Sequence, residues 1–159
     1  MNTEIRKEKI PLEELYPTIK AVLDSNGTFL LYPNGTSMLP TIRPGKDSVL
    51  LSRADVIEAG DMILYKRAAG AFVLHRVIRI AEDGSFVLRG DNQYFDENGI
   101  TREQIIAKVG VYYRGKREVH CGSCRHRAYL LRRRIGYPFR RFFFRLKGKL
   151  CRTFGKKAR

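Results

Sequence analysis

Apolar residues at Leu12, Leu15, Ile19 and Leu23 recur at steps of three and four between Pro11 and Asn26-Gly27. That is the period of one helix face, with Pro suited to a first turn and Asn-Gly to the left-handed conformation that closes a helix. A short amphipathic helix is therefore expected over about residues 11–25. From Thr28 the pattern changes to short runs rich in β-branched and aromatic residues: Thr28–Tyr32, Asp47–Ser52, Met62–Arg67, Phe72–Ile80, Ser85–Arg89 and Ile105–Arg114. Between them stand Arg43-Pro44-Gly45-Lys46, Ala59-Gly60-Asp61, Ala68-Ala69-Gly70 and Asp83-Gly84, all turn-forming, and the last is a type I′ hairpin signal. One leading helix before many short, closely spaced strands predicts a mainly β fold, a twisted antiparallel or partly closed body.

Helical spacing returns near the end. Leu131, Ile135, Phe139, Phe142, Leu146 and Leu150 fall at steps of three or four, and Arg132, Arg133, Arg134, Arg140, Arg141, Arg145 and Lys149 fill the remaining arc. An amphipathic basic helix is expected there, kinked or split at Pro138. Charge sharpens the division: of the net +15, residues up to Tyr113 hold 14 Lys and Arg against 15 Asp and Glu, whereas 17 Lys and Arg after Tyr113 face Glu118 alone. The chain thus reads as a neutral body, 1–118, followed by a linker and basic tail, 119–159. A Phe/Leu face beside an Arg/Lys face suits an anionic membrane surface; nucleic acid ranks below it, because no nucleic-acid fold motif accompanies the charge.

The chain has no apolar run of about 18 residues, so no spanning helix is expected. Its start lacks the apolar core and small-residue cleavage site of a secretory signal. Three cysteines, an odd number, argue against an extracellular disulfide framework. The expected location is the cytoplasm, with the inner face of the membrane within reach of the tail. In His120-Cys121-Gly122-Ser123-Cys124-Arg125-His126, Cys121 and Cys124 make half a zinc knuckle. Such compact spacing strains a tetrahedral shell and Cys151 is remote, so a free dithiol in a linker is the preferred reading and no cofactor is expected.

Three residues in the body have the types that hydrolytic chemistry uses. Ser37 lies in "PNGTSMLPT" after the first strand, His75 inside "FVLHRVIRI", and Asp91 in "LRGDNQ". A hydroxyl becomes a nucleophile when a neighbouring imidazole takes its proton, and a carboxylate on the other ring nitrogen completes the arrangement. Each has an ordinary reading too. Ser37 stands among turn-formers, His75 alternates with Val73 and Val77 on one strand face, and Asp91 after Gly90 suits a turn.

Taken together, "GTSMLPTIRPG", "GDMILYKR", "VLHRVIRI", "LRGDNQ" and "REQIIAKVGVYYR" resemble, in order and spacing, the serine-peptidase superfamily of signal peptidases and LexA-like self-cleaving repressors. The resemblance covers about residues 28–114 and is nearest to short bacterial signal-peptidase-like proteins without a membrane anchor. It implies the β fold of that superfamily, Ser37 as nucleophile, Met38 packed beneath the substrate groove with Pro40 beside it, and a peptide or preprotein as substrate. His75 stands where many members have a Lys, which resembles the endoplasmic-reticulum and sporulation-type enzymes. Those carry a second acid about six positions after the Gly-Asp-Asn aspartate, where Asp96 and Glu97 lie here. Asp91 is expected to orient His75 or brace its loop, with Asp96 the second choice; Asp61 matches a structural position. Gly35 replaces a Ser that aids the oxyanion hole in many signal peptidases, as in the repressor-like branch, and favours slow or specialised cleavage. A self-cleaving or regulatory domain, and a non-catalytic membrane- or nucleic-acid-binding module, remain alternatives to the endopeptidase.

Overall fold

Helix α1 (Leu12–Asp24) buries Ile19 and Leu23, two of the four residues that set its period. Pro17 lies exposed in its second turn and removes one backbone hydrogen bond without disturbing the buried stripe. The helix ends with Asn26 in the left-handed region (φ 59°) and the Gly27 amide donating to the Val22 carbonyl at 2.8 Å. A Cβ on Gly27 would stand 2.8 Å from that same oxygen, which is why the return of the chain takes place at a glycine. The computed structural model describes residues 10–132 and 135–137.

Among the described residues eight strands follow α1: β1 (Phe29–Leu31), β2 (Ser48–Ser52), β3 (Met62–Lys66), β4 (Phe72–Ile80), β5 (Phe86–Arg89), β6 (Glu97–Ile100), β7 (Ile105–Arg114) and β8 (Arg117–His120). They form one antiparallel sheet in the order β1-β2-β7-β3-β4-β5-β6, with β8 also pairing β7. The long β7 is shared: its first half pairs β3 and its second half β2, the two meeting at Lys108. Irregularities at Leu50/Leu51, Leu64/Tyr65, Val77/Arg79 and Phe86/Leu88 break the register, and bulges of this kind increase twist and bend the sheet. Ile63, Tyr65, Val77, Phe86, Leu88 and Ile100 share one core cluster on the β3–β6 side. The mainly β fold with a leading and a trailing helix is the one the periodicity predicts.

Three details differ from the sequence expectations. The hairpin at Asp83-Gly84 is not type I′: only Gly84 has positive φ (79°), and its amide donates to the Ala81 carbonyl at 3.0 Å. That is a type I turn closed by a left-handed glycine, the three-residue hairpin solution. Strands β6, "ENGI", and β8, "REVH", carry no strand pattern: β6 buries only Ile100 and β8 buries no residue. Both are held by main-chain pairing, which needs no hydrophobic alternation.

The chain divides into two units, Met1–Glu118 and Val119–Arg159. In the second, residues 124–132 and 135–137 are helical, with Ser123 at the start bonding its hydroxyl to the His120 carbonyl at 2.7 Å. Leu131 and Ile135, four apart, are 60% and 64% exposed. The expected amphipathic pattern from Phe139 to Leu150 lies outside the described residues, as does the kink at Pro138. Among the described residues no helix is long and apolar enough to cross a membrane.

Candidate functional site

Ser37 sits half-buried in the loop that leaves β1. Two backbone bonds set the turn, from the Leu39 amide to the Thr36 carbonyl (3.2 Å) and from the Ile42 amide to the Met38 carbonyl (3.0 Å), and the Ser37 amide is outside both. Met38 is buried beneath the loop, Pro40 is exposed, and the peptide between Leu39 and Pro40 is cis. At the far end Asp47, fully buried, accepts from the Arg43 amide (2.8 Å) and guanidinium and from the Gly115 amide (3.2 Å). These anchors leave the loop little freedom between its two ends.

The segment after β5 grips this loop. The Asn92 amide donates to the Ser37 carbonyl at 2.7 Å, and Gly90 is packed so closely that a Cβ there would lie 2.8 Å from that same oxygen. Any side chain at position 90 would push the serine loop away. Asp91 ties the loop to β4: Arg76 donates to its two oxygens at 2.9 and 2.8 Å, the Thr41 hydroxyl donates to it as well, and Arg76 also reaches the Gly60 carbonyl at 2.7 Å. Arg76 adjoins His75 in sequence, so one carboxylate spans from the serine loop to the strand of the imidazole.

His75 occupies a notch that strand lengths create. Arg89, the last residue of β5, pairs Arg76; at His75 the β5 side of β4 is therefore unpaired, and residues 90–96 loop past it before β6 returns. The ring is 1% exposed. Its Nδ1 lies 3.2 Å from Glu97 Oε1 and 3.2 Å from the Tyr65 hydroxyl oxygen. Tyr65 in turn donates to Glu97 Oε2 at 2.7 Å, and Arg67 grips both carboxylate oxygens, Nε to Oε2 at 2.8 Å and Nη2 to Oε1. The acid at Nδ1 is therefore Glu97. Asp96, the second choice from the sequence, instead pairs with Arg89 at 3.1 Å, and Asp91, the first choice, takes the bracing role through Arg76 and Thr41 while its charge still reaches the ring.

Chemically, this fixes the ring's tautomer. Tyr65 has one proton and gives it to Glu97, so towards Nδ1 both neighbours present lone pairs; Nδ1 carries the hydrogen and Nε2 keeps the acceptor pair. Burial pushes the His75 pKa down to about 4, with the Arg67 charge adding to that and the Glu97 and Asp91 charges opposing it. For Glu97 burial acts upward, but the hydrogen bonds from Arg67 and Tyr65 outweigh it and hold the carboxyl below its ordinary range. Burial, then the Glu97 hydrogen bond, raises Tyr65, which stays a protonated donor. Among the described residues no hydrogen bond joins the Ser37 hydroxyl to the His75 ring.

Asp61 is structural: it accepts from the Glu58 amide and pairs with Lys108, both at 2.8 Å. Cys121 and Cys124 are not joined in a disulfide, and no three His, Cys, Asp or Glu side chains gather into a metal-binding group among the described residues. Sequence reasoning missed Tyr65, which carries no motif beyond alternation along β3, and Arg67, which follows the strand. Glu97 did carry one, its place six after Asp91.

Compared with known proteins, residues 2–112 match the family model described as Peptidase S24-like. No curated protein matches the chain.

Proposed function

The chain belongs to the Peptidase S24-like family, and we propose that it is a serine endopeptidase in which Ser37 is the nucleophile, His75 the general base and Glu97 the residue that orients it. The observation that carries this reading is the locked His75 ring, its Nδ1 held by Glu97 and Tyr65 so that Nε2 is the proton acceptor. Contacts between nucleophile and base are commonly loose in a free enzyme and tighten over substrate. The Ser37 hydroxyl must come within hydrogen-bond reach of His75 Nε2 when substrate is bound. His75 then takes the hydroxyl proton as Oγ attacks the carbonyl carbon, and returns it to the leaving amine; water repeats the cycle on the acyl-enzyme. The Ser37 amide, unused by its turn, would receive the oxyanion with a neighbouring amide; Gly35 has no side chain to help. Losing one such donor slows turnover by about 100- to 1,000-fold, which points to slow or selective cleavage.

Substrate would lie as an extended strand beside β1, the outer strand that leads into the serine loop, with small residues favoured at the scissile bond. The test is cleavage of a peptide mixture by wild type and by Ser37→Ala, read by mass spectrometry. Cleavage by wild type alone supports the reading. Intact mass of the protein incubated by itself should stay constant; a cut within this chain would instead favour the self-cleaving alternative.

The acid limb of kcat/KM should fall well below pH 6.5, near 4, because a buried His75 stays neutral and able to accept a proton down to that value. Stability follows the same sign. The unfolded chain binds a proton at His75 below about pH 6.5 that the folded one refuses until about 4, so stability present at neutral pH is lost across that window as pH falls. A limb at or above 6.5 in the pH profile would contradict the buried neutral base.

The C-terminal unit extends the reading to an anionic lipid surface. Its support is the 14 Lys and Arg from Val119 onward and the exposed apolar side chains of Leu131 and Ile135. The full chain should float with phosphatidylglycerol-containing vesicles at 150 mM salt and not with phosphatidylcholine alone. Retention on DNA at that salt without flotation would reverse the assignment.

A further inference from the structure

Glu97 makes more bonds than orienting an imidazole needs. Its two oxygens receive the Arg67 fork and the Tyr65 hydroxyl at 2.7 Å, and Oε1 stands 3.2 Å from His75 Nδ1. Tyr65 and Arg67 are two positions apart where β3 ends, and Glu97 lies 32 and 30 residues away on β6, so strand packing brings them together. Tyr65 sits on the core face, its ring 6.0 Å from that of His75, and its hydroxyl is the only part turned to the polar group.

We infer that Tyr65 and Arg67 are positioning residues for His75, Tyr65 holding the ring in its Nδ1–H form and Arg67 cancelling the Glu97 charge that would otherwise keep a proton on Nε2. The inference rests on His75 being the general base. Its physical core is a charge balance. The groups facing His75 are Glu97 from β6, Tyr65 from β3, Arg67 just after β3, and Asp91 from the turn after β5; on its own strand Arg76 is the charged neighbour. Each carboxylate has its own guanidinium: Arg67 on Glu97 and Arg76 on Asp91. Arginine cannot give up its charge, so the two pairs stay neutral at any working pH.

With both carboxylates compensated, burial decides and the ring stays neutral. Remove Arg67 and one unpaired carboxylate remains 3.2 Å from Nδ1, inside the range where an opposite charge favours protonation by one to three pH units. The same Glu97 would then turn the base into its spent, protonated form near neutral pH. An Arg67 that merely pinned β6 to β3 would have no such effect.

The experiment is a 15N NMR titration of the His75 ring in wild type, Arg67→Gln, Arg67→Lys and Tyr65→Phe, with kcat/KM profiles beside it. Expected in wild type is a hydrogen on Nδ1 and none on Nε2 at pH 7. In Arg67→Gln the titration midpoint and the acid limb should rise together by about one pH unit or more, and Arg67→Lys should bring both back. Tyr65→Phe should lower kcat about tenfold through loss of one bond at the ring, leaving KM in place. An unmoved midpoint in a folded Arg67→Gln protein overturns the inference. If that variant does not fold, a wild-type ring with its hydrogen on Nε2 overturns it equally. The titration needs no turnover, so absent cleavage with these NMR results intact would overturn the peptidase reading alone.

Discussion

Ser37→Ala is expected to lower kcat/KM for any peptide the wild type cleaves by about four to six orders of magnitude. In the proposed mechanism the nucleophile and its base act as a unit: without Oγ, His75 Nε2 has no hydroxyl proton to take, and only the binding and oxyanion contributions remain, about 10³–10⁴ over water. The fold should not notice. Ser37 is half-buried at a turn whose bonds run between main-chain groups of its neighbours, so stability should change by about 0.5 kcal/mol or less and the melting curve should overlay that of wild type. A Ser37→Ala preparation that cleaves as fast as wild type assigns the activity to another residue or a contaminant, and the assignment of the nucleophile is then lost. Paired with the unchanged melting curve, loss of cleavage cannot be blamed on unfolding.

Asp91→Ala should produce the largest loss of stability of any single change near the site. Asp91 and Arg76 are each 6% exposed and are joined by two bonds of 2.9 and 2.8 Å. Removing the carboxylate strands a guanidinium away from water, and breaking a buried pair in this way costs about 3–5 kcal/mol. For a body of this size that lowers Tm by about 12–20 °C. Removing both charges in Asp91→Ala/Arg76→Met should recover a large part, because the penalty lies in the uncompensated charge more than in the missing bond. The Thr41 contact adds a functional consequence: with its tether gone, the serine loop should lose activity even at temperatures far below the new Tm. A Tm drop under about 3 °C would show that water reaches Arg76 and that Asp91 is not the brace.

The elements that the residue pattern announces are those with a strong local period. Ile19 and Leu23 face inward on α1 as a helical stripe must, and Val77 and His75 share a face of β4 as alternation requires. The two edge elements β6 and β8 gave no such signal, since they bury little and depend on main-chain bonds to a neighbour. The hairpin at Asp83-Gly84 was legible and its turn type was not, because a single left-handed glycine serves either a two- or a three-residue connection and the flanking register selects between them. The choice between Asp96 and Glu97 is the clearest case. Neighbours where a strand begins point to opposite faces, so one residue of register sends one carboxylate to Arg89 and the other to His75.

Alone, the order of residues determined the leading helix, the long strands, the near-neutral body and the basic end, and it narrowed the nucleophile and base to Ser37 and His75 as candidates. These follow from what a few adjacent residues do: backbone geometry sets periods of 3.6 and 2, and charge counts need no coordinates. The tertiary structure decided who meets whom. That Tyr65, Arg67 and Glu97 close around one ring nitrogen, and that Asp91 braces Arg76 and Thr41, depends on strand order and register across the whole sheet. Those are set by the joint packing of every strand, a property no local stretch of chain possesses.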